Sequence, residues 1–80
     1  MKKSIDDLIT SLQRELRFRK LVYPKSVERN QMKASLMNHE IVCTEQTIEL
    51  LNAIKYNDTE TITAFKTAGD QTSLFSGEKA

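Results

Sequence analysis

Glycine, proline, cysteine and histidine are scarce in this chain, and tryptophan is absent. The 80 residues include two Gly, one Pro, one Cys and one His. Gly69 and Gly77 are the only glycines, which excludes a glycine-rich loop that holds a phosphate group. The single cysteine, Cys43, excludes an intrachain disulfide and fits a reducing compartment.

The same scarcity argues against catalysis and metal binding. His39 and Cys43 would share one face of a helix, but two ligands do not make a zinc site. A Cys–His nucleophile pair would also need an orienting third group, an oxyanion hole and a pocket. Glu40, Glu45 and Glu49 have the spacing of a solvated helix face. We therefore predict a non-enzymatic protein with no catalytic residue, no metal site and no cofactor.

Long apolar runs are also lacking. Lys2 and Lys3 resemble the start of a signal peptide, but Asp6 and Asp7 interrupt the segment that follows. The sequence therefore predicts neither a membrane span nor an export signal, and we expect a cytoplasmic protein.

The residues that are abundant are typical of a small helical protein. Apolar residues make up 39% of the chain and charged residues 29%, which favours a narrow core and a large solvated surface. Eighty residues form at most one domain, and a hairpin of two helices is only marginally stable by itself. We therefore expect an all-α protein that self-associates, as a homodimeric bundle.

The first predicted helix follows Ser4, which is a suitable N-cap. Its apolar residues lie on one helical stripe, which Arg19 and Tyr23 prolong. The stripe consists of Ile5, Leu8, Ile9, Leu12 and Leu16. Phe18 and Leu21 lie off this stripe, so they either pack beneath a kinked segment or form a second contact surface.

Tyr23, Pro24 and Asn30 are predicted to form the hinge between two helices. Pro24 lacks a backbone donor and biases Tyr23 away from the helical region, so the first helix should kink or stop there, with residues 24–29 as a separate short turn of helix. Asn30 tolerates the left-handed backbone that closes such a turn. Residues 1–56 are therefore expected to form an antiparallel two-helix hairpin.

The second predicted helix has apolar spacings that alternate between three and four residues, as in a coiled-coil seam. The seam consists of Ala34, Met37, Ile41, Thr44, Ile48 and Leu51, and Leu36, Cys43, Leu50 and Ile54 widen it on one side. Antiparallel pairing should place Leu16 near Glu45 and Leu12 near Ile48. Arg19 should then reach Glu45 as well.

Residues 57–69 are predicted to form a weak helix or a linker. Asp58 is a candidate N-cap for a third helix from Thr59 to Ala68, although its many threonines argue against strong helicity. Residues 70–80 are mostly small and polar, so we expect a flexible tail.

A basic cluster in the first half of the chain indicates one candidate function. Arg14, Arg17, Lys20 and Arg29, with Phe18 among them, could line a nucleic-acid backbone. A net charge of only +1 and the absence of a helix-turn-helix pattern argue against this function. The basic half could equally be neutralised by the acidic half across the hairpin.

The tail sequence Gln71-Thr72-Ser73-Leu74-Phe75 resembles the pentapeptide by which many bacterial proteins dock on the β sliding clamp of the replicase. The resemblance implies that Leu74 and Phe75 enter a hydrophobic subsite, that Gln71 enters a second one, and that Ser73 takes the small polar position. Thr72 departs from the commonest residue, leucine, which should weaken binding. A chance match is expected in roughly one chain per thousand of this length. The alternative is that Leu74 and Phe75 fold back onto the helices.

A longer segment, about residues 12–51, resembles a family of small phage and prophage proteins with a Tyr-Pro motif. The matching residues are Arg19, Val22, Tyr23, Pro24, Val27, Asn30, Met32, His39, Glu40 and Ile41. Asn30 replaces the glycine of the family, and Lys33 replaces its Thr or Ser, which puts the side-chain cap of the second helix in question. The resemblance implies a helical hairpin and a phage setting without an established activity.

These features together predict a phage-type protein of the bacterial host cytoplasm. Its tail would bind the sliding clamp through Gln71, Ser73, Leu74 and Phe75, as a replication accessory or a modulator of host replication. The alternatives are a nucleic-acid-binding helical dimer and a structural or adaptor protein of phage assembly, in which Phe18 and Leu21 would meet a virion component.

Overall fold

The structure, a computed structural model, describes residues 1–68. These residues form three helices: α1 (Ile5–Glu28), α2 (Ala34–Lys55) and α3 (residues 59–68). No strand occurs among the described residues, so the predicted all-α class is confirmed for this part of the chain. The predicted flexible tail lies outside it.

The start of α1 has the predicted cap. The hydroxyl of Ser4 accepts a hydrogen bond from the backbone N–H of Asp7 at 3.1 Å. Asp6 and Asp7 place negative charge at the positive end of the helix dipole, and Lys25 places positive charge in the last turn. The two ends of α1 therefore favour this helix independently of its packing.

Of the two outcomes predicted at Tyr23-Pro24, a kink or a stop, the stop does not occur, because α1 continues through Pro24 to Glu28. Pro24 has no N–H, so the helix lacks one hydrogen bond to the carbonyl of Lys20. Pro24 lies on the exposed side of α1, where water can take the place of that donor. The kink predicted at this position stays a prediction.

Asn30 closes the first turn, as predicted. Its φ of 58° is in the left-handed region. Its N–H donates to the carbonyl of Val27 at 3.1 Å, and the N–H of Gln31 donates to the carbonyl of Ser26 at 2.8 Å. This pair of bonds is a Schellman motif, which satisfies the last carbonyls of α1.

The end of α2 repeats the same motif. Asn57 has a φ of 56°, and its N–H donates to the carbonyl of Ile54 at 3.2 Å. The N–H of Asp58 donates to the carbonyl of Ala53 at 2.8 Å. An asparagine in the left-handed conformation therefore ends each of the first two helices.

Asp58 also begins α3, as predicted. Its carboxylate accepts hydrogen bonds from the hydroxyl of Thr61 at 2.6 Å and from the backbone N–H of Thr61 at 3.2 Å. These two bonds lower the pKa of Asp58, with the hydroxyl bond as the largest cause. The threonine-rich segment is helical because its N-terminus is capped in this way.

The side chain at the N-cap of α2 makes no capping hydrogen bond. Lys33 has the extended backbone of an N-cap residue, with φ −77° and ψ 142°, but its side chain has no suitable acceptor. The first turn of α2 contains no acidic residue either. Lys33 also brings a cation to the positive end of the helix dipole, which is unfavourable.

We expect Lys33→Ser to raise the free energy of unfolding by about 1 kcal/mol, because a serine hydroxyl at the N-cap can accept from the N–H of Leu36. Lys33→Ala is the matched control, since it removes the cation without supplying an acceptor. Urea unfolding of both variants measures the difference. Equal free energies of unfolding for the serine and alanine variants would show that the missing cap does not limit the stability of α2.

The hairpin is antiparallel, and side-chain pairs fix its register. Lys55 Nζ lies 2.5 Å from Asp6 Oδ1, which joins the end of α2 to the start of α1. Nearer the turn, Arg19 Nη1 donates to the Thr44 hydroxyl at 2.9 Å. The pairs therefore run in opposite directions along the two helices, as predicted.

The core between the helices is small. Among residues 1–68, only Ile9, Thr44 and Ala53 are buried. Most other residues of the two predicted seams are half-buried, while Leu8 and Ala34 are exposed. This narrow core agrees with the composition and leaves several large apolar side chains in contact with solvent.

Candidate interaction surfaces

Arg19 is the centre of a polar cluster between α1 and α2. Its Nε donates to Glu15 Oε1 at 2.9 Å, and its Nη1 donates to the buried Thr44 hydroxyl. The same Nη1 lies 3.4 Å from both the carbonyl and a carboxylate oxygen of Glu40. The guanidinium carbon lies 5.7 Å from the centre of the Tyr23 ring, within cation–π range.

The predicted pair between Arg19 and Glu45 is wrong. Lys20 Nζ is the group near Glu45, at 3.2 Å from Oε2. Successive residues of a helix point about 100° apart, so neighbours face different parts of the opposite helix. Arg19 points at the middle of the seam, where Thr44 lies, and Lys20 points at its edge.

The Arg19 cluster is structural. The Thr44 hydroxyl donates to the carbonyl of Glu40 at 2.8 Å while it accepts from Arg19, so its hydrogen-bonding capacity is used within the hairpin. The hydrogen bond to Glu15 is the largest cause of the raised pKa of Arg19. The guanidinium therefore holds the two helices in register.

Among the described residues, one of the four predicted nucleic-acid-binding cations forms an ion pair and the other three do not. Arg14, Arg17 and Arg29 are exposed. Lys20 lies instead beside Glu45 at the edge of the hairpin. This ion pair is exposed to solvent, and the choice between nucleic-acid binding and charge cancellation across the hairpin stays a prediction.

The outer face of α1 combines cations with exposed apolar side chains. We call this face the α1 ridge, and it consists of Arg14, Arg17, Phe18, Leu21, Val22 and Lys25. Phe18 is 55% exposed, Leu21 71% and Val22 36%. Phe18 and Leu21 therefore do not pack beneath a kinked segment, and the second contact surface stays a prediction.

Two members of the α1 ridge, Val22 and Lys25, are absent from the predicted sites. The signal that could have found them is the helical spacing of Arg14, Phe18, Leu21 and Lys25, which are separated by four, three and four residues. Because α1 continues through Pro24, Lys25 lies on the same helix as the other three residues of this pattern.

A groove lies where α2 approaches the start of α3, and we call it the acidic groove. Its volume is about 460 Å³. It is lined by Glu45, Ile48, Glu49, Asn52, Ala53, Tyr56, Asp58 and Thr61. The lining includes the carboxylates of Glu45, Glu49 and Asp58 and the apolar side chains of Ile48 and Ala53. Tyr56, which also lines the groove, is exposed.

His39 and Cys43 share an exposed face of α2, as predicted. The Cys43 Sγ lies 3.5 Å from the His39 Nε2. Within residues 1–68, no group of three or more His, Cys, Asp or Glu side chains is arranged to hold a metal ion. The pair has the geometry of a weak intrahelical contact between adjacent turns.

The predicted clamp-binding residues, Gln71, Ser73, Leu74 and Phe75, lie outside the described residues. The helical part that is described ends at residue 68, three positions before Gln71.

None of the helices described in residues 1–68 has both the length and the apolar character of a membrane span. Comparison of the chain with family models, with curated proteins and with solved structures finds no match. The resemblance to small phage proteins stays a prediction.

Proposed function

We propose that this chain is a non-enzymatic phage-type protein that binds the bacterial β sliding clamp through residues 71–75. The observation that carries the proposal is the sequence of the tail, which has Gln71, Ser73, Leu74 and Phe75 at the spacing of the clamp-binding pentapeptide.

The chemistry of these residues suits a peptide that docks in a groove. Leu74 and Phe75 supply two adjacent apolar anchors, and a few buried anchors provide most of the binding energy in such contacts. The amide of Gln71 both donates and accepts, so it can pair with groups at the edge of the groove. Ser73 adds a small side chain that does not obstruct the approach of the anchors.

In this proposal, residues 71–75 bind the clamp and thereby tether the helices of residues 1–68 to it. The motif begins three residues after the last described helical residue, with Gly69 and Asp70 as the connection. The tethered helices would either be recruited to replicating DNA or hinder other proteins that bind the same groove of the clamp.

We expect Leu74→Ala combined with Phe75→Ala to weaken clamp binding by at least about 100-fold, since each anchor accounts for roughly 2 kcal/mol. Thr72→Leu restores the commonest residue of the pattern and should strengthen binding. Ser76→Ala, just outside the motif, is the matched control and should leave the affinity for the clamp unchanged. Titration of the intact variants with purified clamp measures these effects. Binding that survives the double substitution would contradict the proposal.

Nucleic-acid binding is a second candidate, which is favoured by the exposure of Arg14, Arg17 and Arg29 on α1. This candidate predicts affinity for DNA that falls steeply as the salt concentration rises and that survives removal of residues 70–80. A pull-down from bacterial lysate with and without residues 70–80 separates the two functions, because only clamp binding requires the tail.

A further inference from the structure

The α1 ridge and the acidic groove are complementary in charge and in polarity. The ridge carries three cations, Arg14, Arg17 and Lys25, around Phe18, Leu21 and Val22. The groove carries three carboxylates beside Ile48 and Ala53: Glu45 pairs with Lys20, Asp58 caps α3, and Glu49 forms no ion pair within the described residues. An interface with an apolar centre and oppositely charged rims has the usual anatomy of a contact between proteins.

The geometry points to a contact between copies of this chain, in which the α1 ridge of one copy occupies the acidic groove of another. The small core supports this inference, because folding leaves Phe18, Leu21 and Val22 exposed on the ridge and Tyr56 exposed in the groove. Leu21 is the most exposed member of the apolar centre, and a groove of about 460 Å³ has room for one or two side chains of its size.

Pairing of two α1 ridges with each other is disfavoured. The ridge has cations at both ends, Arg14 and Lys25, with Leu21 and Phe18 between them. A two-fold axis through an antiparallel pair would place Arg14 of one copy beside Lys25 of the other, and a parallel pair would place identical cations side by side. Like charges that face each other at an interface cost several kcal/mol. The ridge therefore requires an acidic surface.

The α1 ridge is less suited to bind a nucleic acid than to bind the acidic groove of another copy. A phosphate backbone is recognised by cations and hydrogen-bond donors. The middle of the ridge is instead Phe18, Leu21 and Val22, and the two aliphatic side chains offer neither. The carboxylate of Glu49 supplies the opposite charge, and Ile48 supplies an apolar surface beside it.

The test is sedimentation of the full chain and of two charge reversals, Arg14→Glu on the ridge and Glu49→Arg in the groove. Both residues are exposed, so folding should be retained, and circular dichroism checks the helix content. We expect the wild-type chain to associate and each variant alone to associate at least about tenfold more weakly. An equimolar mixture of the two variants should associate again, because each supplies the surface that the other has lost.

Leu21→Ser tests the apolar centre without a change of charge. We expect it to weaken association, whereas Leu36→Ser, at an exposed leucine on α2 outside both surfaces, should not. A wild-type chain that stays monomeric at millimolar concentration would overturn the inference. An Arg14→Glu variant that associates as tightly as wild type would also overturn the inference. The same holds for a mixture of the two variants that stays monomeric, and for a monomeric wild-type chain whose ridge binds DNA.

Discussion

Ile9→Ala is expected to lower the free energy of unfolding by about 3 kcal/mol, which lies within the usual range for a buried isoleucine. Ile9 is 7% exposed and is one of only three buried residues in the described part of the chain. A protein of this size is stabilised by only about 4–12 kcal/mol in total. The substitution should therefore remove a large fraction of that stability.

Leu8→Ala is the matched control for this prediction. Leu8 precedes Ile9 on α1 but is 44% exposed, so we expect its loss to cost about 1 kcal/mol or less. Urea unfolding followed by circular dichroism, at one fixed protein concentration, measures both variants. Equal losses for Leu8 and Ile9 would contradict the orientation of α1 described above.

Arg19→Met should cost about 2 kcal/mol, although methionine keeps much of the apolar length of arginine. The substitution removes the hydrogen bonds to Glu15 and Thr44 and leaves the carboxylates of Glu15 and Glu40 without their cation. Hydrogen bonds to charged groups contribute roughly 1.5–3 kcal/mol each when shielded. The side chain of Arg19 is 23% exposed, so solvent screens part of this contribution.

Lys20→Met is the matched control for Arg19→Met. The Lys20 side chain is 52% exposed and its partner Glu45 is 45% exposed, so this ion pair should contribute less than about 0.5 kcal/mol. High salt should weaken the Lys20 pair further while leaving most of the Arg19 contribution in place. An Arg19→Met variant as stable as Lys20→Met would show that the cluster does not hold the hairpin together.

The sequence predicts the helices well because their ends carry local signals. Ser4, Asn30 and Asp58 each act through hydrogen bonds within a few residues, so the residue type alone indicates the structure. The alternating spacing of three and four residues likewise locates the seam around Thr44. These signals do not depend on how the helices pack against each other.

Packing decides the features that the sequence does not predict. The register of α2 against α1 determines that Arg19 meets Glu40 and Thr44 and that Lys20, whose side chain points about 100° away, meets Glu45. Pro24 is a helix breaker by its own chemistry, yet the turns on either side of it remain helical. The first outcome depends on tertiary contacts, whereas the helix tolerates Pro24 because this residue lies on its exposed side.

The two proposals concern different parts of the chain and can be separated by experiment. Clamp binding depends on Leu74 and Phe75, whereas association of copies depends on Arg14, Leu21 and Glu49. Arg14→Glu should therefore leave the affinity of a single tail for the clamp unchanged.

The most direct test of the account is titration of the intact protein with purified bacterial sliding clamp. We expect a dissociation constant in the micromolar range, which corresponds to roughly −8 kcal/mol, and loss of binding in the Leu74→Ala, Phe75→Ala double variant. An intact protein that shows no binding to the clamp would contradict the central claim.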